Sequence, residues 1–343
     1  MKKHLLATVI SSLILSACGG GSGGVSTPVA VTPACIAPQV LTNGVCVTPA
    51  PTVTPAKLQT SVPTPTYLVG SEELAAFNEF NGFRKMMGLG LVAQNLKLDQ
   101  AAANHANYIV VNQIFSHTED PSKPGFTGVN PQDRTQFSGY AGNDGEMLAG
   151  TGGQIGVRQL MNTIYHRDGI ATQSIIDAGF SLNVGWFKPL VVENGLGVGL
   201  GQNNSSDFVT TYPVDLQTDL PLVMSGETPN PFSDIDTTTN DVLTKTTSPV
   251  SIYSAFGTTL AVTSFTVTEA AQTAPLDVRL ITNANDINKH IGTNVVHIVG
   301  KAPFKANTKY SVSFIGNVNG VALVKNWSFT TGASLNIGGG ANQ

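Results

Sequence analysis

The spacing of apolar residues changes late in the chain, and this change limits the possible folds more than any other feature. Behind the capping residue Ser71, an apolar residue recurs at every third or fourth position from Leu74 to Met87, which is the spacing of one helical face. After about Asn230 the pattern becomes short, β-branched runs that alternate apolar and polar residues and are separated by Gly, Asn and Pro. We therefore predict two folded regions of different class.

The first folded region, residues 67–219, combines early helices with late strands. A second helix is predicted in residues 98–115. Two strands are predicted in residues 194–202 and 207–214, joined by the polar turn at 203–206. Helices followed by strands over this length indicate a single α+β domain.

The second folded region, residues 228–332, has the pattern of an all-β sandwich. Residues 303–320 and 327–331 resemble the last strands of the Ig-like domains that follow other exported bacterial modules. That resemblance implies a spacer or a binding module, and a purely structural extension is an equal alternative. Residues 333–343 are predicted to be a flexible tail.

The N-terminus is typical of an export signal. Two lysines precede the apolar run Leu5–Leu15, which is too short to span a bilayer, and the run ends in LSAC at Cys18. This resembles the lipobox of bacterial lipoproteins, which implies a signal peptide of residues 1–17 and lipidation of Cys18. Gly19 stands where inner-membrane lipoproteins typically carry aspartate, so the resemblance implies the outer membrane. An ordinary cleavable signal is the alternative.

Residues 18–66 are rich in Gly and Ser and then in Pro and Thr, so we predict an extended linker. This linker contains Cys35 and Cys46 on either side of an Asn43-Gly44 turn. In an oxidising compartment the two cysteines are candidates for a disulfide, and two free thiols are the alternative.

The composition argues against a nucleic-acid-binding protein. Charged residues make up 12% of the chain, against roughly 25% in typical soluble domains, and the formal net charge is −4. A chain with this balance has no basic surface to neutralise phosphates.

One short motif points in a misleading direction. His166-Arg167-Asp168 matches the tripeptide that opens the catalytic loop of protein kinases. A kinase also needs an Asn five residues after that Asp, where this chain has Gln173, and the nearest match to Asp-Phe-Gly, at Asp207, ends in valine. We therefore exclude a kinase.

Several weak motifs occur in one consistent order between residues 72 and 212. They are Asn81 and Arg84, then Ala102, His105 and Ala106, Phe115 to Thr118, Arg134 before Gly139-Tyr140, Gly145-Glu146, His166-Arg167 and Gly197 to Gly199. This succession resembles the bacterial branch of the CAP superfamily (cysteine-rich secretory, antigen 5 and pathogenesis-related 1 proteins). The resemblance implies an α-β-α sandwich fold.

The same resemblance implies a functional cluster. In this family, residues at the positions of His117, Glu146 and His166 face a cavity that is associated with divalent metals in some members. Two imidazoles and one carboxylate suit zinc and leave a coordination position open. The alternative is that the three side chains only hydrogen-bond to each other and brace the cavity wall. By its place on the helix, His105 is interpreted as a packed or partly exposed residue and not a ligand.

The chain departs from the family pattern around these residues. Met147 follows the glutamate where Asn is usual, Leu160 stands where Trp is common, and Thr163 replaces Ser. Neither a Gly-x-Ser-x-Gly elbow nor a His-Glu-x-x-His helix is present.

Two functions follow from these observations. The preferred one is a lipid-anchored outer-membrane lipoprotein that binds a lipid, glycan or protein partner, with or without a metal at the cluster. The alternative is a metal-assisted hydrolase acting on peptide or cell-wall material, with Glu146 as general base and the two histidines as ligands. A tethered scaffold without a ligand is a third possibility.

Overall fold

A computed structural model describes residues 40–42, 45–47, 57–185, 188–197 and 201–335. The chain divides into two compact units, Met1–Thr52 and Val53–Gln343. Within the described ranges, none of the helices combines the length and apolar character needed to cross a bilayer. The predicted signal peptide, Cys18 and Cys35 lie outside the described residues.

The first unit contains a small antiparallel hairpin. Its strands are β1 (Val40–Thr42) and β2 (Val45–Val47), with Leu41 opposite Cys46. The predicted disulfide of Cys46 with Cys35 stays a prediction, because Cys35 is not described.

The second unit begins with an α+β half. In chain order, its elements are α1 (Glu72–Met86), β3 (Ala93–Gln94), α2 (Leu96–Asn112), α3 (Pro131–Phe137), β4 (Asp144–Ala149), α4 (Gly153–Met161), α5 (Tyr165–Ala171), β5 (Asp177–Leu182) and β6 (Leu190–Gly195). The strands form one sheet in the order β3-β5-β6-β4. The Ser71 hydroxyl accepts a hydrogen bond from the Leu74 amide, 3.1 Å away, so the predicted start of α1 is confirmed.

Helices cover both faces of this sheet. Leu148 and Val191 form a buried cluster with Ile109 of α2 on one face. Their strand neighbours Met147 and Val192 point to the opposite face and belong to the main core, with α1 and α4. The predicted α-β-α arrangement is therefore confirmed.

The rest of the second unit is almost entirely β-structure. In chain order, its elements are β7 (Val209–Tyr212), β8 (Gln217–Leu220), α6 (Asp241–Lys245), β9 (Val250–Ser254), β10 (Leu260–Glu269), β11 (Val278–Thr282), β12 (Val295–Gly300), β13 (Lys309–Val318) and β14 (Val321–Thr331). They form two sheets, ordered β10-β13-β14-β8 and β11-β12-β9-β7. Ile252 and Ile298 of one sheet share a core with Phe314 and Phe329 of the other, which confirms a β-sandwich.

One sheet of the sandwich also packs against the α+β half. Every residue of β9 and β12 is buried. Val296 and Ile298 face the sandwich core, whereas Val295 and Val299 belong to the same buried cluster as Ile170 of α5. The central strands β9 and β12 are therefore covered on both faces, and the α+β half and the sandwich half share apolar packing.

Strand pairing differs from the sequence-based expectation at the boundary between the halves. The two strands predicted to form a hairpin separate, because β6 pairs with β4 and β5 whereas β7 pairs with β9. β8 pairs with β14. Both β7 and most of β8 lie within residues 67–219, yet they are strands of the sandwich sheets. The first of the two predicted strands ends at Gly195, and residues 198–200 are outside the described part.

The end of the predicted linker is part of the folded unit. The Gln59 side chain donates from Nε2 to the carbonyls of Leu91 and Ile176 at 3.2 and 3.0 Å. Val62 packs against the main core. Residues 57–66 therefore belong to the α+β half and not to a free spacer.

Candidate ligand-binding cleft

His117 and Glu146 meet in the α+β half as the resemblance implied. His117 lies in the loop after α2, Glu146 lies on β4, and His117 Nδ1 is 2.7 Å from Glu146 Oε1. Arg134 of α3 donates from Nη2 to the other carboxyl oxygen of Glu146 at 2.6 Å. Arg134 and Glu146 are fully buried, whereas the His117 side chain is 44% exposed. The imidazole is therefore the solvent-facing end of a buried ion pair.

The protonation of this group follows from its surroundings. Burial opposes ionisation of Glu146, but the hydrogen bond from His117 and the positive charges of His105 and Arg134 lower its pKa to about 2. An ionised carboxylate only accepts hydrogen bonds, so His117 must donate from Nδ1. This identifies Nδ1 as the donor, so the neutral ring carries its free lone pair on His117 Nε2.

A second buried pair supports the first. His105 Nδ1 is 2.8 Å from Glu119 Oε1, and His105 Nε2 is 2.9 Å from the Ser116 carbonyl. Both partners accept hydrogen bonds, so a ring protonated on both nitrogens satisfies both contacts. Of the two alternatives for His105, the structure has the packed one: the side chain is fully buried, and its Nε2 is 3.7 Å from Glu146 Oε1.

Glu193 of β6 stands directly opposite Glu146 in the sheet register. It is completely buried, and its pKa is raised well above the usual range by burial and by the negative charge of Glu146. No donor group in the described ranges reaches its carboxyl oxygens. A neutral Glu193 explains both facts, because its own O–H then donates to Glu146.

His166, the third predicted residue, has a different partner. Its Nδ1 is 3.0 Å from Glu227 Oε1, and Glu227 lies beyond β8, outside the α+β half. Burial opposes ionisation of Glu227, but hydrogen bonds from the His166 side chain and from backbone amides of α5 lower its pKa. His166 therefore donates from Nδ1, and its neutral ring carries the lone pair on Nε2, as that of His117 does.

The two imidazoles line one cleft with two lobes. The first lobe has a volume of about 510 Å³ and is lined by Phe115, Leu148, Leu160 and Glu227, among others. The second has a volume of about 670 Å³ and is lined by Glu146, Asn194, Phe256 and His290, among others. The residues common to both lobes are His117, His166 and Thr228. The histidines therefore stand where the lobes meet.

All three predicted residues line the second lobe, but His166 has its own carboxylate partner, Glu227. Glu146 and Glu227 each hold a histidine from behind, which is the arrangement of carboxylates that orient metal-binding imidazoles. Within the described ranges, no group of three or more His, Cys, Asp or Glu side chains has the geometry to hold a metal. The two imidazoles have the chemistry of metal ligands, and they are the side chains that would hold an ion in this cleft.

Sequence reasoning missed the partners of the predicted residues. Glu119 follows His117 by two positions, and Glu193 interrupts an apolar strand, which is a signal of a buried carboxyl group. Glu227 carries no such signal, because it lies in a polar, proline-containing segment far from His166 in sequence.

Comparison with known proteins gives a family match for part of the α+β half. Residues 77–174 match the family model described as CAP, the cysteine-rich secretory protein family. The chain contains a CAP domain. The matched range includes His117, Glu146 and His166 of the CAP domain, whereas Glu227 and Thr228 lie after it.

Two solved structures are similar to the chain. An outer surface protein from Borrelia burgdorferi is 18% identical, with 38% of this chain and 96% of that chain covered and a TM-score of 0.34. An extracellular protein containing an SCP domain from Bacillus anthracis is 20% identical, with coverages of 36% and 40% and a TM-score of 0.31. Comparison with curated proteins gives no match.

Proposed function

We propose that this chain is a lipoprotein anchored in the outer membrane of a bacterial cell envelope, and that it binds a ligand in the cleft of its CAP domain. The observation that carries the binding role is the position of His117 and His166 where the two lobes meet, each oriented by a buried carboxylate. Two preorganised lone pairs in an open cleft form a site for a metal ion or a hydrogen-bond donor.

The geometry supports binding better than it supports the hydrolase alternative. A general base works best with a pKa near the operating pH and a free oxygen that can reach the attacking water. Glu146 has a pKa of about 2, and its two carboxyl oxygens are engaged by His117 and Arg134. A carboxylate held in this way is a poor base, and its chemistry suits the orientation of His117.

A divalent metal such as zinc fits the imidazole pair. Neutral imidazole nitrogens are good zinc ligands, and carboxylates behind them raise their basicity. When bound, the metal would supply a Lewis-acidic centre for an oxygen or nitrogen atom of a lipid, glycan or protein ligand. His117 and His166 would hold the ion, and Glu146 and Glu227 would orient the two rings.

Calorimetric titration of zinc into the full chain tests the site. We expect micromolar binding in the parent and at least about tenfold weaker binding in His117→Ala and in His166→Ala, since each removes one of two ligands. His290→Ala is the matched control, because His290 lines the second lobe and packs its ring edge-on against Tyr165. Unchanged affinity in both test variants, or no binding to the parent, would exclude the metal site.

The anchor is tested by metabolic labelling with palmitate and by membrane fractionation. We expect labelled protein in the outer-membrane fraction for the parent. Cys18→Ser should lose both the label and the membrane association, whereas Cys35→Ser should keep both, since Cys35 lies beyond the lipobox. Label retained in Cys18→Ser would contradict the lipoprotein assignment.

A further inference from the structure

Four consecutive side chains of α5 reach into the sandwich half. The contacts are Tyr165 Oη with Asp286 Oδ1 at 2.5 Å, His166 Nδ1 with Glu227 Oε1 at 3.0 Å, Arg167 Nη1 with the Pro249 carbonyl at 2.6 Å, and Asp168 Oδ1 with the Tyr253 hydroxyl at 2.8 Å. The kinase-like triplet therefore has a structural explanation: it joins the CAP domain to the region that follows it.

Among these contacts, the one made by Glu227 is the most extensive. Its Oε1 accepts from the backbone amide of Tyr165 at 2.7 Å and from that of His166 at 3.1 Å. Its Oε2 accepts from the Ile164 amide at 2.9 Å. Ile164, the residue at the start of α5, has no polar side chain to cap the helix, so Glu227 satisfies the amides that the helix leaves open.

The same carboxylate also holds the ring of His166. Both the backbone and the side chain of His166 are bound by Glu227 Oε1, so the position of the ring is fixed relative to the helix. Thr163 Oγ1 is the other neighbour of Nδ1, at 3.3 Å, and an uncharged hydroxyl can donate or accept. Glu227, as a carboxylate, can only accept, and it therefore selects the ring tautomer.

We propose that Glu227 is the positioning residue of His166, and that the region after the CAP domain thereby completes the binding cleft. This inference deepens the proposed function and rests on it for the identity of the ligand. The CAP domain supplies both imidazoles, but only one of the two orienting carboxylates. The second lobe likewise takes Phe256 and His290 from the sandwich half.

The direct readout is the tautomer of His166, measured by nitrogen-15 NMR of the histidine rings in the full chain. We expect the Nδ1–H form in the parent. Glu227→Gln keeps the size of the side chain but has one acceptor oxygen in place of two, so we expect the Nε2–H form to appear. Zinc affinity should fall by about 10- to 100-fold, as it does when a carboxylate behind a metal-binding histidine is removed.

Asp286→Asn is the matched control. It neutralises another carboxylate at the same junction, which binds Tyr165 and backbone amides but not His166. We expect the His166 tautomer and the zinc affinity to stay unchanged in this variant. An equal loss of zinc affinity in Asp286→Asn would show that the junction acts only through the stability of the fold, and it would overturn the proposal.

The outcomes separate this proposal from the proposed function. The Nε2–H form in the parent would overturn the proposal even if Glu227→Gln did not fold, and an unchanged tautomer in a folded Glu227→Gln would do the same. An absence of zinc binding in the parent would remove the metal site, while the tautomer measurement would still decide the role of Glu227.

Discussion

The two histidine–carboxylate pairs orient their imidazoles in the same way, but different interactions hold their carboxylates. The pair of His117 and Glu146 lies within the CAP domain, and its carboxylate is balanced by the buried guanidinium of Arg134. The pair of His166 and Glu227 spans the junction, and its carboxylate is held by backbone amides of α5. The first pair therefore depends on a charge, and the second depends on the docking of two halves.

This difference predicts different sensitivities to mutation. Removal of a buried counter-charge leaves an uncompensated ion, which is among the most costly changes a core can suffer. Backbone amides are neutral and cannot be deleted, so the second pair is weakened chiefly by changes that displace α5 from the sandwich half. Four substitutions test this contrast, from the largest expected effect to the smallest.

Arg134→Met should be the most destabilising of the four. It leaves the carboxylate of Glu146 buried without its guanidinium partner, so we expect the free energy of unfolding to fall by about 3–5 kcal/mol. Urea denaturation of the full chain measures this loss. The double variant Arg134→Met/Glu146→Gln should recover most of it, because no charge is then left unpaired.

Lys188→Met is the control for Arg134→Met. Lys188 pairs with Glu72 at 3.2 Å, and both side chains are about half exposed. We expect a loss of less than about 1 kcal/mol, since water solvates the carboxylate that remains. Equal losses in the two variants would show that the first pair does not depend on its buried counter-charge.

Arg167→Met should weaken the second pair and spare the first. The Arg167 guanidinium donates to the Pro249 carbonyl and to Ser251 of the sandwich half, and it lies 4.6 Å from the centre of the Tyr212 ring. Its loss leaves buried acceptors without donors, so we expect about 2–3 kcal/mol of destabilisation. Hydrogen exchange should rise in α5 and stay unchanged in β4. A uniform rise across both elements would contradict the separation of the two pairs.

The fold was largely predictable because its signals are local. The helical spacing from Leu74 to Met87 and the alternating runs after Asn230 depend on neighbours in sequence, and both predictions were confirmed. The pairing of β7 and β8 was not predictable, because a polar turn at residues 203–206 suits a hairpin equally well. The choice of partner strand depends on the shared core of the two halves, which a local pattern does not encode.

The site was predictable only as far as the family resemblance reached. That resemblance led to His117, Glu146 and His166, and the structure joins the first two at 2.7 Å. It did not lead to Glu227, whose contact with His166 spans 61 positions and depends on how the sandwich half docks. Long-range pairs of this kind leave no trace in spacing or composition.

Asp144→Asn should stabilise the protein above neutral pH. It tests the effect of the Glu146 charge on a neighbouring carboxyl group. Burial raises the pKa of Asp144 from 3.8 to about 6, and the negative charge of Glu146 adds to the shift. The folded state then binds the proton more tightly than the unfolded state, so stability falls as pH rises from about 4 to about 6. Asparagine does not ionise, so the variant does not lose stability as the pH rises. After allowance for partial exposure, we expect a gain of about 1 kcal/mol at pH 8 and none at pH 4.

Asp120→Asn is the control for Asp144→Asn, since the two carboxyl groups are shifted in opposite directions. Asp120 is exposed, and hydrogen bonds from Ser122 lower its pKa. The folded state therefore favours its ionised form, and Asp120→Asn should give no gain at pH 8. Urea denaturation at pH 4 and pH 8 compares the two variants. A gain in Asp144→Asn that is equal at both pH values would show that ionisation is not its cause.

Glu193→Gln should have the smallest effect. It tests why the negative charge lies on Glu146 and not on Glu193. Glu193 faces Glu146 across the sheet, and burial together with that neighbouring charge keeps it neutral. A glutamine amide donates to Glu146 as the protonated carboxyl does, so we expect the free energy of unfolding to change by less than about 1 kcal/mol at pH 7. Glu146→Gln, the same substitution on the opposite strand, should cost about 3 kcal/mol or more because it removes the closest counter-charge of the buried Arg134. Comparable losses in the two variants would mean that the negative charge is shared between the carboxyl groups, and the tautomer of His117 would then depend on both.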